Sequence, residues 1–255
     1  MSIQEGYVEL HKEKNGVGTI TFFHPQSNSL PSHLLNKLAN TINNASDDEN
    51  IKVIVLKSGG DRTFCAGASF DELKAISNKK EGIEFFSGFA KVINASRKCK
   101  KIIIGRVQGK AVGGGVGMAS AVDYCFATKY ASVKLSELAI GIGPFVVGPA
   151  VERKMGLAAM STLAINATEW FDANWAREKG LFSEVFSDVE LMDQHIMKLS
   201  NQIAKSHDKA TVALKKIFWE GTENWDELLL ERAKISGELI LSDFSKNAIK
   251  KIQSK

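Results

Sequence analysis

Residues 102–127 read IIIGRVQGKAVGGGVGMASAVDYCFA, and the fold turns on how this stretch is parsed. Ile102 to Val107 is a compact apolar run, short enough for a buried strand. A glycine cluster follows from Gly109 to Gly117, then a short helix through Met118 and Ala119, then a second strand from about Tyr124 to Ala127. Strands alternating with helices imply an α/β protein with a largely buried sheet.

Upstream, the theme repeats. Tyr7 to His11 and Gly16 to Phe23 read as a hairpin joined at Lys14-Asn15-Gly16. Pro31 opens an amphipathic helix with Leu34, Leu35, Leu38, Ile42 and Ala45 at helical spacing. Ile51 to Leu56 (IKVIVL) is a strand closed by Ser58-Gly59-Gly60, and a helix runs from about Glu81 to Arg97. Downstream of Pro144 strand signals almost vanish. Helices are expected over Val151–Ala164, Ala173–Lys179, Val189–Ser206, Lys209–Trp219 and Trp225–Leu241. This divides the chain into an α/β core over 1–190 and a docked helical region over 191–255, with a soft boundary between them.

Hydrophobic residues make up 44% and charged residues 24% of the 255, the composition of a folded globular chain. A net charge of +4, without a basic stripe interleaved with aromatics, argues against nucleic acid as a partner. The three cysteines, Cys65, Cys99 and Cys125, form neither a disulfide framework nor a CxxC zinc pair. The stretch Met1 to Gly6 lacks the basic and apolar regions of a signal peptide, and no run of 18 apolar residues exists. A soluble cytoplasmic protein with no membrane partner is expected.

Three glycine-bearing segments carry the chemical signal: Phe64-Cys65-Ala66-Gly67-Ala68-Ser69-Phe70, Gly109 through Gly117, and Ser136-Glu137-Leu138-Ala139-Ile140-Gly141-Ile142-Gly143-Pro144. None is a P-loop, a GxGxxG dinucleotide fingerprint or a GxSxG nucleophile elbow, and no histidine pair has zinc-ligand spacing. Glycine loops at strand ends offer exposed backbone N–H groups instead, and a helix N-terminus adds its positive dipole end. Two such groups converging on one point make an oxyanion hole able to stabilise a thioester enolate. Glu137 is the candidate proton carrier beside them. The same features also fit a tight turn with close packing and a solvated surface glutamate.

In order and spacing these segments resemble the crotonase superfamily, the enoyl-CoA hydratase/isomerase family. Val53-Ile54-Val55-Leu56 followed by Phe64-Cys65-Ala66-Gly67-Ala68 is similar to its strand-then-FCAGAD signature. Gly109 to Gly115 with Asp123 is similar to its GxAxGGG…D signature. Glu137 falls where the family places a catalytic glutamate. Asn28-Ser29-Leu30 resembles its early NAL, and Ala176 to Val185 its A…GLVxxV. The resemblance implies a spiral of ββα turns with a helical C-terminal region, assembling as trimers or hexamers. It implies that the Ala68 and Gly114 N–H groups form the oxyanion hole. Ala66, Gly67, Ala68, Gly114 and Pro144 would then bind an acyl-CoA substrate, with the CoA adenine region held at Ala66 to Ala68. It implies no separate cofactor, since coenzyme A belongs to the substrate, and no metal.

The pattern breaks in four places. Family hydratases carry two glutamates, and the first stands where this chain has Gly117. Hydration divides its proton work between two carboxylates, whereas moving a double bond takes a proton from one carbon and returns it to another, which one carboxylate can do. The single glutamate therefore favours isomerisation. The alternatives are a hydratase recruiting Asp71 or Glu72 and a non-catalytic acyl-CoA binder. On this reading Gly117→Glu raises hydration, given that the short helix tolerates the side chain. Ser69 replaces the usual acidic residue, and Phe145-Val146-Val147 occupies a segment that is glycine-rich in relatives, implying a reshaped acyl pocket. The tail also lacks the family's Glu-Gly and Phe features; its Lys246, Lys250, Lys251 and Lys255 read as a solvated basic helix face.

Overall fold

A computed structural model of the chain describes residues 5–253. Met1 to Gln4 and Lys255, which entered the reading of the two termini, lie outside the described residues. The hairpin forms as expected, β1 (Tyr7–Lys12) pairing antiparallel with β2 (Val17–Phe23). Helix α1 (Ser32–Asp47) follows with Leu34, Leu35, Leu38, Ile42 and Ala45 buried, and it leads to β3 (Val53–Ser58).

Between β3 and the next long strand lie β4 (Thr63–Cys65), α2 (Phe70–Ala75) and α3 (Lys79–Lys98). The deciding stretch then gives β5 (Ile102–Val107), β6 (Lys110–Val112), α4 (Gly114–Ala121) and β7 (Tyr124–Thr128). All six residues of β5 are buried, as a strand covered on both faces requires.

Beyond β7 come β8 (Ser132–Lys134), α5 (Gly148–Met155), α6 (Leu157–Ile165), β9 (Phe171–Asp172), α7 (Ala173–Glu178) and β10 (Glu184–Phe186). The two strands after Pro144 correct the expectation of helices alone. At two and three residues they are too short for period-two alternation to register. The helix expected over Val151–Ala164 is two helices, broken at Gly156 with φ +80°.

The strands form two sheets, one of six in the order β1-β2-β3-β5-β7-β10 and one of four in the order β4-β6-β8-β9. From β2 to β10 the larger sheet is parallel. The chain closes with α8 (Val189–Ala204), α9 (Asp208–Phe218), α10 (Trp225–Leu239) and α11 (Asp243–Gln253).

Helix α8 covers one face of the larger sheet, where Met192 and Ile196 join Val53, Val55, Ile104 and Phe126 in a buried cluster. Arg106 of β5 donates to Asp193 of α8 at 2.6 Å. On the other face, Trp219, Trp225, Leu229 and Ala233 belong to the same cluster as Ile54 and Phe89. The last helices therefore share the core of the α/β body. Among the described residues no helix is long and apolar enough to cross a membrane.

Candidate active site

The three glycine-bearing segments meet in one cavity of about 420 Å³. Ala66, Gly67, Ala68, Gly113, Gly114, Glu137 and Pro144 all line it, so every site residue expected from the sequence arrives at one place.

The loop at Ala68 is held by the early Asn28-Ser29-Leu30 segment. Asn28 sits at φ +55° and donates from Nδ2 to the carbonyls of Gly59 (2.9 Å) and Thr63 (2.8 Å). Leu30 N–H donates to Gly67 O at 2.8 Å, and Ser29 Oγ donates to Ala68 O at 2.8 Å. The Gly67–Ala68 peptide is trans. With its carbonyl turned to Leu30, its N–H points the opposite way. The second donor arises at the start of α4. Gly113 O accepts from Val116 N (3.0 Å) and Gly117 N (3.1 Å), so the Gly114 N–H of that peptide points out of the helix end. Neither the Ala68 nor the Gly114 N–H has a protein acceptor among the described residues.

Glycine is required here by close approach. A Cβ at position 114 would fall 2.2 Å from the Phe89 ring, and one at position 113, where φ is +52°, would fall 2.9 Å from Glu137 Oε1. Main chain and carboxylate thus lie side by side. Glu137 opens the 3-10 turn Glu137–Ile140 that follows β8. The residue is half-buried, but its Oε2 is sealed from solvent and lacks a hydrogen-bond partner among the described residues. Burial pushes its carboxyl up to about 7, opposed only by a hydrogen bond from its own backbone. A carboxyl so poised can both take and give a proton near neutrality.

The two acids offered as substitutes for the missing glutamate are elsewhere. Glu72 Oε2 accepts from Ser32 N (2.9 Å) and Ser32 Oγ (2.6 Å), so it holds the start of α1. Asp71 pairs with Lys74 at 2.7 Å and its side chain is 64% exposed. Neither lines the cavity, and Glu137 is the one carboxylate among the described residues that do. Ser69 caps α2 by accepting from Glu72 N at 3.3 Å.

At Gly117 the condition attached to Gly117→Glu, that the short helix tolerates the side chain, is not met as the structure stands. A Cβ there would fall 2.6 Å from Val147 Cγ1, so the residues that reshape the pocket also close that position. Phe145, Val146 and Val147 all line the cavity. Asp123, part of the second signature, is not in the cavity. It accepts from Ile103 N (2.8 Å) and Trp219 Nε1 (3.0 Å) and pairs with buried Lys215 (2.6 Å), a structural tie to α9.

Sequence reasoning missed Phe85, Phe86 and Phe89 on α3, Lys134 on β8 and Ser236 on α10, which also line the wall. The helical periodicity of α3 marks its aromatic residues as inward-facing, a signal that does not distinguish core from pocket.

With its two sheets, the glycine-started α4 and the flanking helices, the chain has the crotonase fold. It superposes on an enoyl-CoA hydratase from Bacillus halodurans with a TM-score of 0.88 at 20% identity, covering 96% of this chain and 99% of that one. For an enoyl-CoA hydratase from Mycobacterium avium subsp. paratuberculosis K-10 the TM-score is 0.83 at 21% identity, covering 95% and 97%. The enoyl-CoA hydratase/isomerase family model matches residues 12–251, and the chain belongs to that family. Among curated relatives, carnitinyl-CoA dehydratase of Salmonella enteritidis PT4 is 28% identical over 219 residues, covering 82% of this chain and 79% of that protein. Its Escherichia coli K12 counterpart is 27% identical over 223 residues, with the same coverage.

Proposed function

We propose that the chain moves a proton within an acyl-CoA thioester, with Glu137 as the carrier and the Ala68 and Gly114 N–H groups holding the thioester oxygen. The reaction is migration of a double bond. Ionised Glu137 takes a proton from C2 of a 3-enoyl thioester, and the electron pair delocalises onto the carbonyl oxygen between the two donors. The same carboxyl then returns the proton to C4, leaving the 2-enoyl product. Each donor contributes a factor on the order of 10²–10³ in rate, as oxyanion-hole donors do.

The observation that carries this reading is that Glu137 is the single carboxylate among the described residues of the cavity wall, with position 117 closed by Val147. A second reading, water elimination or addition, is favoured by the relatives named carnitinyl-CoA dehydratase. Purified protein assayed on matched 3-enoyl- and 2-enoyl-CoA substrates separates the two. Isomerisation is expected to be the faster reaction. Hydration at ~10–10³ s⁻¹ without isomerisation would overturn the proposal. Self-association as a trimer or hexamer belongs to the same reading, since α9 leaves Ile217 and Phe218 exposed.

A further inference from the structure

We propose that Lys134 on the wall of the cavity, with Lys110 and Trp170 beside it, forms an anion-binding subsite that receives an oxyanion of the thioester substrate. The proposal rests on the cavity being the thioester site and adds a second point of recognition to it.

Strand register brings the three side chains together. Val112 of β6 lies opposite Lys134 of β8, and Val133 lies opposite Phe171 of β9 in an antiparallel pair, which sets Trp170 beside Lys134. Side chains alternate along a strand, so Lys110 and Val112 share one face, the face of Lys134. Val112 and Lys134 line the cavity, as do Ala167 and Thr168 just before Trp170. The Lys110 Nζ lies 4.8 Å and the Lys134 Nζ 5.0 Å from the centroid of the Trp170 ring.

Each ammonium group lies within cation–π reach of the indole, whose negative face offsets only part of a positive charge. A carboxylate would complete the arrangement, but none from the protein does so among the described residues. Asp172 is committed to capping α7 through Trp175 N (2.8 Å), and Glu169 Oε1 accepts from Thr168 Oγ1 (3.4 Å). Glu137, three residues beyond Lys134, forms no ion pair with it, and no cation lowers its carboxyl. Lys134 is also the one cationic residue among those lining an otherwise largely apolar cavity. A substrate presenting only hydrocarbon to this wall has no use for it. A carboxylate at the far end of the acyl chain, or a phosphate of coenzyme A, supplies the missing charge through charge-assisted hydrogen bonds.

The test is direct binding of saturated thioesters, which do not react. Calorimetry compares hexanoyl- and adipoyl-CoA, and the same two acyl groups on N-acetylcysteamine, which carries no phosphate. Lys134→Gln and Lys110→Gln are measured against the wild type, with Lys134→Arg as the charge-retaining control and circular dichroism confirming the fold. Lys134→Gln is expected to weaken binding by ~10–100-fold, the scale of a hydrogen bond to a charged group, and Lys134→Arg to restore most of it. A loss confined to the adipoyl esters on both carriers identifies an acyl carboxylate as the ligand. A loss on both CoA esters that is absent on N-acetylcysteamine identifies a phosphate. Unchanged affinity throughout, or an equal loss for hexanoyl-N-acetylcysteamine, overturns the subsite. A wild type that binds adipoyl-CoA through Lys134 yet isomerises nothing leaves the subsite standing and removes the isomerase reading.

Discussion

Glu137 carries its carboxyl into a place that does not solvate the charge, and this one residue sets two pH dependences. As the proposed base it must be ionised, and burial raises it to about 7. The kcat/KM for a 3-enoyl-CoA should therefore rise between about pH 6 and pH 8 and level off above. Glu137→Gln keeps the shape but cannot accept a proton; it should lower kcat by at least ~10²-fold and abolish that rise, with thioester affinity little changed. Stability moves the other way. With the folded carboxyl raised from 4.5, the native state binds the extra proton between 4.5 and 7, so stability falls as pH rises through that window. Melts should show Glu137→Gln more stable than the wild type at pH 8, the gap closing as pH falls below about 7. For the proposed donors, Ala68→Pro should cost ~10²–10³ in kcat while Ala68→Ser is mild, because the group proposed to act is main-chain N–H. A folded Ala68→Pro enzyme with a normal rate would move the donor elsewhere. Glu137, Ala68 and Gly114 were legible in the sequence only through the family resemblance, since the residues alone also fit a tight turn and a solvated surface glutamate. Lys134 and Phe89 were not, because their place on the wall depends on partners far along the chain.

Elements differ in how much they announce themselves. The long members are readable in two ways: α1 and α8 by the helical periodicity of their buried face, β3 and β5 by short apolar runs that mark strands covered on both faces. The smaller sheet is another matter. Its four strands have two or three residues each and exist because tertiary pairing holds them, as in β6 between β4 and β8. Contact between elements is equally silent in the sequence, and position 117 is where this matters. Helix α4 packs against the segment carrying Val147, so Gly117→Glu inserts a charged side chain into a filled space. Overpacking alone costs about 1–3 kcal/mol. Thermal melts should show Gly117→Glu clearly destabilised, with no gain in hydration. Adding Val147→Gly should recover part of the loss and open a route to hydratase activity. An equally stable single variant would mean that α4 and its neighbour yield more easily than their contact implies.

At the scale of the whole molecule, the α/β body and the last helices are joined by charge as well as by packing. Asp123 and Lys215 are each 3% exposed at their side chains and lie 2.6 Å apart. Removing one partner strands the other. Lys215→Met should cost about 3–5 kcal/mol in denaturant unfolding, and Asp123→Asn combined with Lys215→Met should cost less than Lys215→Met alone. Additive losses would show that the pair is not coupled. Asp123 was read from the sequence as part of a catalytic signature; its role as a tie could not be read there, because Lys215 lies ninety-two positions on. The same long reach shapes how the enzyme comes into being. The cavity runs in sequence from Ala66 to Ser236, so its wall is contributed in part by one of the last helices to be made. A chain still on the ribosome can complete its larger sheet once Phe186 has emerged, yet it lacks a finished binding chamber until α10 follows. During that interval Phe89 and its apolar neighbours lack their cover, the kind of transiently exposed apolar surface that favours aggregation and chaperone binding.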